Sequence, residues 1–375
     1  MSIFHITTIT LIAGLGLLIL GAEILVRGAA RLSSALGISP LIIGLTVVAY
    51  GTSSAELAAC VRSAAMGQSG LAMGIVVGSN IFNVLFVLGV SALVIPLTVT
   101  KRVIRLDVPI MIAVSVLLYL LALDGSISRW DSLLLFAGAV AYTLFTVLGA
   151  RRERSQSWMM TDVPDASEVR QPKRRRYWAI TQILFVILGL VMLVFGSRWF
   201  VSGAVLLAEG LGVSKSVIGL TIVAAGTSLP EAATSIVAAL RGKPEIAVGN
   251  IVGSNIANVL LVLGLTGLVA PHGIDVSSSA LKFEIPVMIA VAVSCLPVFF
   301  TRGLIERWEG GLYLGYYFAF VLYLILLAGH HKALPAFDAA MAFFVLPLTV
   351  ITYIVLTARR ARGNGRVGHF PGTNR

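Results

Sequence analysis

Two carboxylates stand where a carboxylate is costly. Glu56 closes the run GTSSAE and Glu231 the run GTSLPE, each in the middle of a long apolar stretch. An ionised carboxylate at such a place is unfavourable unless something compensates it, and neither Glu has a Lys or Arg at helical spacing. The residues just before them suggest what the compensation is. Thr52–Ser53 and Thr227–Ser228 precede the two Glu, Gly51 and Gly226 precede those pairs, and Pro230 follows in the second run. Gly, Ser, Thr and Pro together loosen a helix and release backbone carbonyls from its hydrogen-bond ladder. Carbonyls, hydroxyls and a carboxylate form the ligand set of a hard cation such as Ca²⁺ or Na⁺, and the absence of thiols and imidazoles argues against zinc or copper.

Further oxygens lie downstream. GIVVGSNIFN and GNIVGSNIAN place Ser79 with Asn83, and Ser254 with Asn258, at i and i+4, one turn apart on one helix face. Asn80 and Asn255 lie about 100° around the helix from the serines and are expected to bond between helices. Gly74, Gly78, Gly249 and Gly253 read as packing seams. The plainer reading of a lone intramembrane Glu is a protonated structural group. It loses force when two Glu hold equivalent places in a repeat.

The repeat is explicit. Residues 44–90 and 219–265 align without a gap at an offset of 175, with 25 of 47 positions identical. The identities include Thr, Ser, Glu and Asn, so shared apolar composition does not explain them. The likeness extends to Leu18–Gly21 with Leu193–Gly196, to VPIMIAV with IPVMIAV, and to Arg129–Trp130 with Arg307–Trp308.

The elements that must position these residues are membrane helices. Hydrophobic residues make up 58% of the 375 and charged ones 12%, with a mean hydropathy of +0.95, which excludes an ordinary soluble domain. A β-barrel would alternate apolar and polar residues over ~10 positions, and this chain does not. Eleven spans are expected, at about 7–28, 41–65, 71–95, 107–123, 131–149, 179–207, 216–240, 246–270, 284–301, 309–329 and 338–357. The first run lacks a basic start and carries Glu23, so it reads as a permanent span and not a signal peptide. The expected fold is an all-α polytopic membrane protein, an inverted repeat of two five-helix units plus an eleventh helix. Residues 1–149 and 178–330 form the halves, 150–177 an Arg-rich cytoplasmic linker, and 331–375 the extra span and a basic tail. Five crossings per unit turn the second copy upside down.

Most of the 28 Lys and Arg fall on the linker side, which the positive-inside rule makes cytoplasmic. The N-terminus is then outside and the C-terminus inside. The net charge of +11 lies almost wholly in loops, so its expected partner is the lipid surface and not nucleic acid. Glu23 and Arg198, at equivalent places in the first and sixth spans, could pair or line an entry path. Asp107, Glu209 and Glu284, at span ends, are expected to face water. His330 and His331 read as outer-loop residues, and Cys60 and Cys295 as packing residues. No phosphate loop, nucleophile with a base, or cofactor fingerprint is present, so the chain reads as a transporter without a cofactor and not as an enzyme.

The pair GTSSAE…GSNIFN and GTSLPE…GSNIAN resembles the two alpha repeats of the cation/calcium antiporter superfamily, specifically the prokaryotic sodium/calcium exchangers, over about residues 7–330. The resemblance implies ten helices in inverted halves, with the second, third, seventh and eighth binding ions while the first and sixth slide across them. It implies ligands in the side chains of Thr52, Ser53, Glu56, Ser79 and Asn83 and of Thr227, Ser228, Glu231, Ser254 and Asn258, and in the carbonyls of Ala49 and Ala224. Glu56 and Glu231 would bridge Ca²⁺, and hydroxyls and carbonyls would complete Na⁺ sites. Three departures stand out: Asn at both 83 and 258 where many relatives have one Asp, Ser54–Ala55 where LP is usual, and the eleventh span. The expectation is Ca²⁺/Na⁺ antiport in a bacterial inner membrane. The alternatives are Ca²⁺/H⁺ or other cation exchange and, further off, a passive channel. Oligomeric state is left open.

Overall fold

A segment inside a bilayer has no water for its backbone, so it must close its own hydrogen bonds as a helix. The computed structural model describes residues 3–160, 172–213, 218–300, 303–329, 333–341 and 350, and the expected spans within them are helices. They are α1 (Ile3–Leu36), α2 (Pro40–Ala65), α3 (Gly70–Val94), α4 (Val103–Asp124) and α5 (Arg129–Met160). The second set is α6 (Pro172–Gly210), α7 (Gly219–Val223, Ala224–Gly226 and Leu229–Leu240), α8 (Pro244–Val269), α9 (Ala280–Phe299) and α10 (Arg307–Ala328). A short α11 (Leu334–Ala340) follows, and most of the expected eleventh span lies outside the described residues, as do His330 and His331. Nine of the described helices are long and apolar enough to cross a membrane. The seventh expected span is not among them; its longest continuous leg is Leu229–Leu240. The Arg-rich stretch is partly helical: α5 continues through Arg151, Arg152 and Arg154, and α6 begins before Lys173.

The repeat is visible in backbone detail. Wide π-type turns occur at Gly44–Val48 and Gly219–Val223, at Asn83–Leu88 and Asn258–Leu263, and at Val103–Asp107 and Ala280–Glu284. Such turns inside α-helices often mark functional sites, because they unseat carbonyls from the regular ladder. Short strands link the halves across the loops. β1 (Leu97–Thr98) pairs antiparallel with β4 (Leu304–Ile305), and β2 (Ser126–Ile127) with β3 (Ile274–Asp275). Arg307 reaches the carbonyl of Val94 at 3.3 Å and its counterpart Arg129 reaches that of Pro271 at 3.2 Å, closing the same two junctions.

Burial sorts the helices into layers. The apolar window of α8 is 94% buried and that of α3 72%, against 33% in α1 and 28% in α6. Thus α3 and α8 form the centre with α2 and α7, while α1 and α6 lie outside as a long antiparallel pair. What lets that pair close is glycine at every seventh position: Gly14, Gly21 and Gly28 on α1, and Gly189, Gly196 and Gly203 on α6. A Cβ at Gly21 would stand 2.9 Å from the Gly189 carbonyl, and one at Gly196 2.8 Å from the Leu18 nitrogen, so the two backbones touch.

Candidate functional site

Both carboxylates are fully buried. They meet at the centre because α2 and α7 break just before them. Ser53 (φ −67, ψ 0) and Ser228 (φ −94, ψ 8) leave helical geometry, and Glu56 and Glu231 each fall in the first turn of the leg that follows. A helix N-terminus favours a negative side chain, which supplies part of the compensation that no nearby Lys or Arg provides. The break in α2 forms without proline. In α7, Pro230 has no N–H for the Gly226 carbonyl, and the hydroxyl of Ser197 on α6 takes its place at 2.6 Å. In α2 the additional Ser54 donates to the Gly51 carbonyl, also at 2.6 Å.

Ser-x-x-Glu is the sequence of a capping box, yet neither serine caps its own helix. Each reaches across to the other half. Ser228 donates to Glu56 Oε1 at 3.1 Å, and Ser53 makes a longer contact of 3.5 Å with Glu231 Oε1. Ser79 joins the first group, 2.8 Å from the Ser228 hydroxyl and 3.3 Å from Glu56 Oε1. Asn258 Nδ2 donates to Ser79 Oγ at 3.0 Å and to Asn80 Oδ1 at 3.2 Å, so the halves interlock again. Asn80 in turn donates to the Asn255 carbonyl at 3.3 Å, the bond between helices expected of it.

Buried polar atoms are normally hydrogen-bonded. Here Glu56 Oε2, Glu231 Oε2, Asn83 Oδ1 and Nδ2, Asn258 Oδ1 and Ser254 Oγ are buried without a partner. All but one are oxygens, on helices packed together around the two carboxylates: the turn at Asn83 lies against the second leg of α7, and that at Asn258 against the second leg of α2. Such a set fits a hard cation and offers nothing to a soft one. Among the described residues, no group of three or more His, Cys, Asp and Glu is placed to hold a metal ion.

The remaining site residues divide. Thr52 is buried, while Thr227 is half-buried and Ala224 exposed. The Ala49 carbonyl accepts the Ser53 N–H at 2.9 Å and the Thr52 hydroxyl at 3.2 Å; in α7 the Ser228 N–H turns to Ala225 instead of Ala224. The first leg of α2 is pressed onto the first leg of α8, where a Cβ at Gly44 would meet the Ile246 carbonyl at 2.9 Å and one at Gly253 the Leu45 carbonyl at 2.7 Å. The equivalent contact between α7 and α3 is open: a Cβ at Gly74, Gly78 or Gly219 meets nothing within 4 Å. The packing seam expected of all four glycines thus holds at Gly249 and Gly253 and fails at Gly74 and Gly78.

Two other expectations are corrected. Asp107 does not face water; it is fully buried, accepts the Tyr142 hydroxyl at 3.1 Å and lies 3.6 Å from Arg102 Nε. A carboxylate at a span end can turn inward when a Tyr from a neighbouring helix and an Arg from the turn before it meet it. Glu209 is exposed as expected, and Glu284 is half-buried with the Ser279 hydroxyl at 3.2 Å. Glu23 does not pair with the exposed Arg198; it binds Arg27 on its own helix and Arg241 after α7, the latter at 2.8 Å. Asn250 and Ser197 carried no sequence signal of repetition, since Ile75 and Ala22 hold the equivalent positions. The clue was a polar side chain inside an apolar span.

The profile of the family described as "Sodium/calcium exchanger protein" matches residues 6–148 and 181–326. The putative antiporter CaxA of Alkalimonas amylolytica is 37% identical over 302 residues, which cover 80% of this chain and 92% of that protein. The sodium/calcium exchanger MaX1 of Methanosarcina acetivorans is 33% identical over 341 residues, covering 84% and 97%. Among solved structures, the sodium-calcium exchanger NCX_Mj superposes with a TM-score of 0.71 at 27% identity, covering 87% of this chain and 99% of that one. With the fold, the paired motifs and these relatives in agreement, the chain belongs to the sodium/calcium exchanger family of membrane cation antiporters.

Proposed function

We propose that this antiporter exchanges Ca²⁺ for Na⁺ by alternating access, with the ions held between Glu56 and Glu231. The observation that carries the reading is the pair of buried carboxylates, each with one oxygen bonded by a serine of the opposite half and one without a partner. Ser79, Ser254, Asn83 and Asn258 would add neutral oxygens, with Thr52, Thr227, Ser53, Ser228 and the carbonyls of Ala49 and Ala224 at the edge of the cage. Two formal negative charges match one Ca²⁺ or two Na⁺, and each additional ion would leave net positive charge in a low-dielectric site.

An inverted arrangement of the halves fits the loop pairings. The loop after α3 pairs with the loop after α9, and the loop after α4 with that after α8, as expected if corresponding loops lie on opposite membrane faces. The Glu23–Arg241 contact supports placing Arg27 and Arg241 on one face, the one the Lys/Arg distribution makes cytoplasmic. The open contact at Gly74, Gly78 and Gly219 then lies toward the outside, and the closed one at Gly44, Gly249 and Gly253 toward the cytoplasm.

The second reading, Ca²⁺/H⁺ exchange, rests on the same pair, because two carboxylates can carry two protons in place of two Na⁺. Proteoliposomes separate the two. With sodium inside and none outside, radioactive calcium should accumulate and should stop when the sodium gradient collapses. Uptake driven by a pH gradient and indifferent to sodium would reject the sodium reading.

A further inference from the structure

The two halves carry the same motifs, but several buried polar residues of the second half have no polar counterpart in the first, and Asn250 is the one that bonds across three helices. Asn250, on the first leg of α8, is fully buried. Its Oδ1 lies 3.2 Å from the Thr52 hydroxyl of α2, whose proton it shares with the Ala49 carbonyl, and its Nδ2 donates to Ser235 Oγ at 2.9 Å and to the Glu231 carbonyl at 3.4 Å, both on α7. One amide therefore ties together three of the four central helices, and its partners are a site hydroxyl and the backbone of a site carboxylate. At the equivalent places in the other half stand Ile75 for Asn250 and Cys60 for Ser235, which cannot build this clasp.

The clasp lies where the packing is asymmetric. On the membrane face that carries Arg241, α2 and α8 are in backbone contact: a Cβ at Gly249 would meet the Leu41 carbonyl at 2.9 Å, and one at Gly253 the Leu45 carbonyl at 2.7 Å. Asn250 sits between those glycines and bonds at the inner end of the seam, beside the carboxylates. On the opposite face, where Ile75 takes its place, Gly74, Gly78 and Gly219 leave open space. A hydrogen-bonded clasp on one side and an apolar residue on the other give the two passages unequal resistance to opening. Removing a few neutral hydrogen bonds shifts such a balance by about tenfold.

We infer that Asn250 is a positioning residue whose amide holds the passage on the Arg241 face closed, and that releasing Thr52 and Ser235 from it is a step in admitting cations from that face. This rests on the alternating-access reading above and adds to it the residue that sets the balance between the two faces.

The test uses the full chain in oriented vesicles, with Thr46→Cys as a reporter. Thr46 is buried in the closed first leg of α2 and its hydroxyl bonds only within its own helix, to Ile42. Asn250→Leu keeps the volume and removes both ends of the clasp; Ser235→Ala removes one partner and leaves Asn250 in place. The expected result is about tenfold faster reaction of the reporter with an impermeant maleimide applied from the Arg241 face in Asn250→Leu, and a smaller gain in Ser235→Ala. The KM for calcium should fall on the Arg241 face and rise on the other. Unchanged labelling with unchanged KM values overturns the inference, and so does a fall in kcat on both faces with neither KM moving. Should Asn250→Leu not fold, Ser235→Ala decides by the same criteria. Labelling does not depend on which ions are exchanged, so a failed sodium/calcium assay would reject the proposed function and still leave this test readable.

Discussion

Each carboxylate has one oxygen bonded and one without a partner, and the chemistry follows from that pairing. Glu56→Gln or Glu231→Gln removes half the fixed charge from a site without a compensating Lys or Arg. Either change should lower calcium exchange in proteoliposomes more than about a hundredfold, since one charge in a low-dielectric site is worth several kcal/mol. Retained transport in either mutant would remove that residue from the site. Asn258→Asp adds a third carboxylate and loses the donor to Ser79 and Asn80. Calcium affinity should rise about tenfold, by the arithmetic of one added charge at intermediate dielectric, and the charge moved per cycle should change with it. Flux measured at clamped potential reads both. Asp107→Asn belongs to a different account. It leaves Arg102 beside a neutral partner in a buried place and should lower stability by about 3 kcal/mol, whereas Tyr142→Phe should cost about 1 kcal/mol, both read from unfolding in detergent.

Among the elements, the same substitution at equivalent glycines should behave differently. Gly253→Ala drives a methyl group into the Leu45 backbone and should destabilise the protein by about 1–3 kcal/mol. Gly78→Ala has open space and should leave thermal unfolding unchanged. Under the proposed alternating access it should nonetheless slow exchange, because the opposite conformation would close at that position. Equal effects of the two changes on unfolding would mean that the halves pack alike. The outer pair is more exacting. Gly196→Leu places a branched side chain against the α1 backbone at Leu18 and should separate α1 from α6, with loss of transport even where folded protein is recovered. Since α6 also touches both helix breaks, through Leu190 at Gly51 and Val201 at Gly226, its displacement is felt at the site.

For the molecule as a whole, the proposed alternating access would use the open seam between α3 and α7 and the closed seam between α2 and α8 in turn. If the face with Arg27 and Arg241 is cytoplasmic, a cysteine introduced at Gly74 should react with an impermeant maleimide from outside whole cells, and one introduced at Lys243 only after the membrane is opened. The reverse pattern would invert the orientation. The Glu23–Arg241 contact, exposed and therefore worth at most about 1 kcal/mol, makes a small and salt-sensitive contribution to that closed face.

The amino-acid sequence by itself determined the membrane class, the duplication, the core helices and the identity of the two carboxylates. Those properties are local: polar residues inside apolar runs are costly wherever the runs go, and a repeat is visible without folding it. It also carried the Ser-x-x-Glu pattern, which on local grounds means two capped helices. Tertiary structure decided otherwise, turning Ser53 and Ser228 across the interface, because each serine meets the carboxylate of the other half there. Tertiary structure alone brought Asp107 inward to Tyr142, gave Glu23 to Arg241 in place of Arg198, set Ser197 against the carbonyl that Pro230 leaves without a donor, and fastened Asn250 to Thr52. The partners in these contacts are far apart along the chain, so no spacing in the sequence announces them. The greatest difference lies between the halves: the seam at Gly44, Gly249 and Gly253 is closed and that at Gly74, Gly78 and Gly219 open, although their motifs match, because backbone approach is set by how the helices pack and not by the local motif.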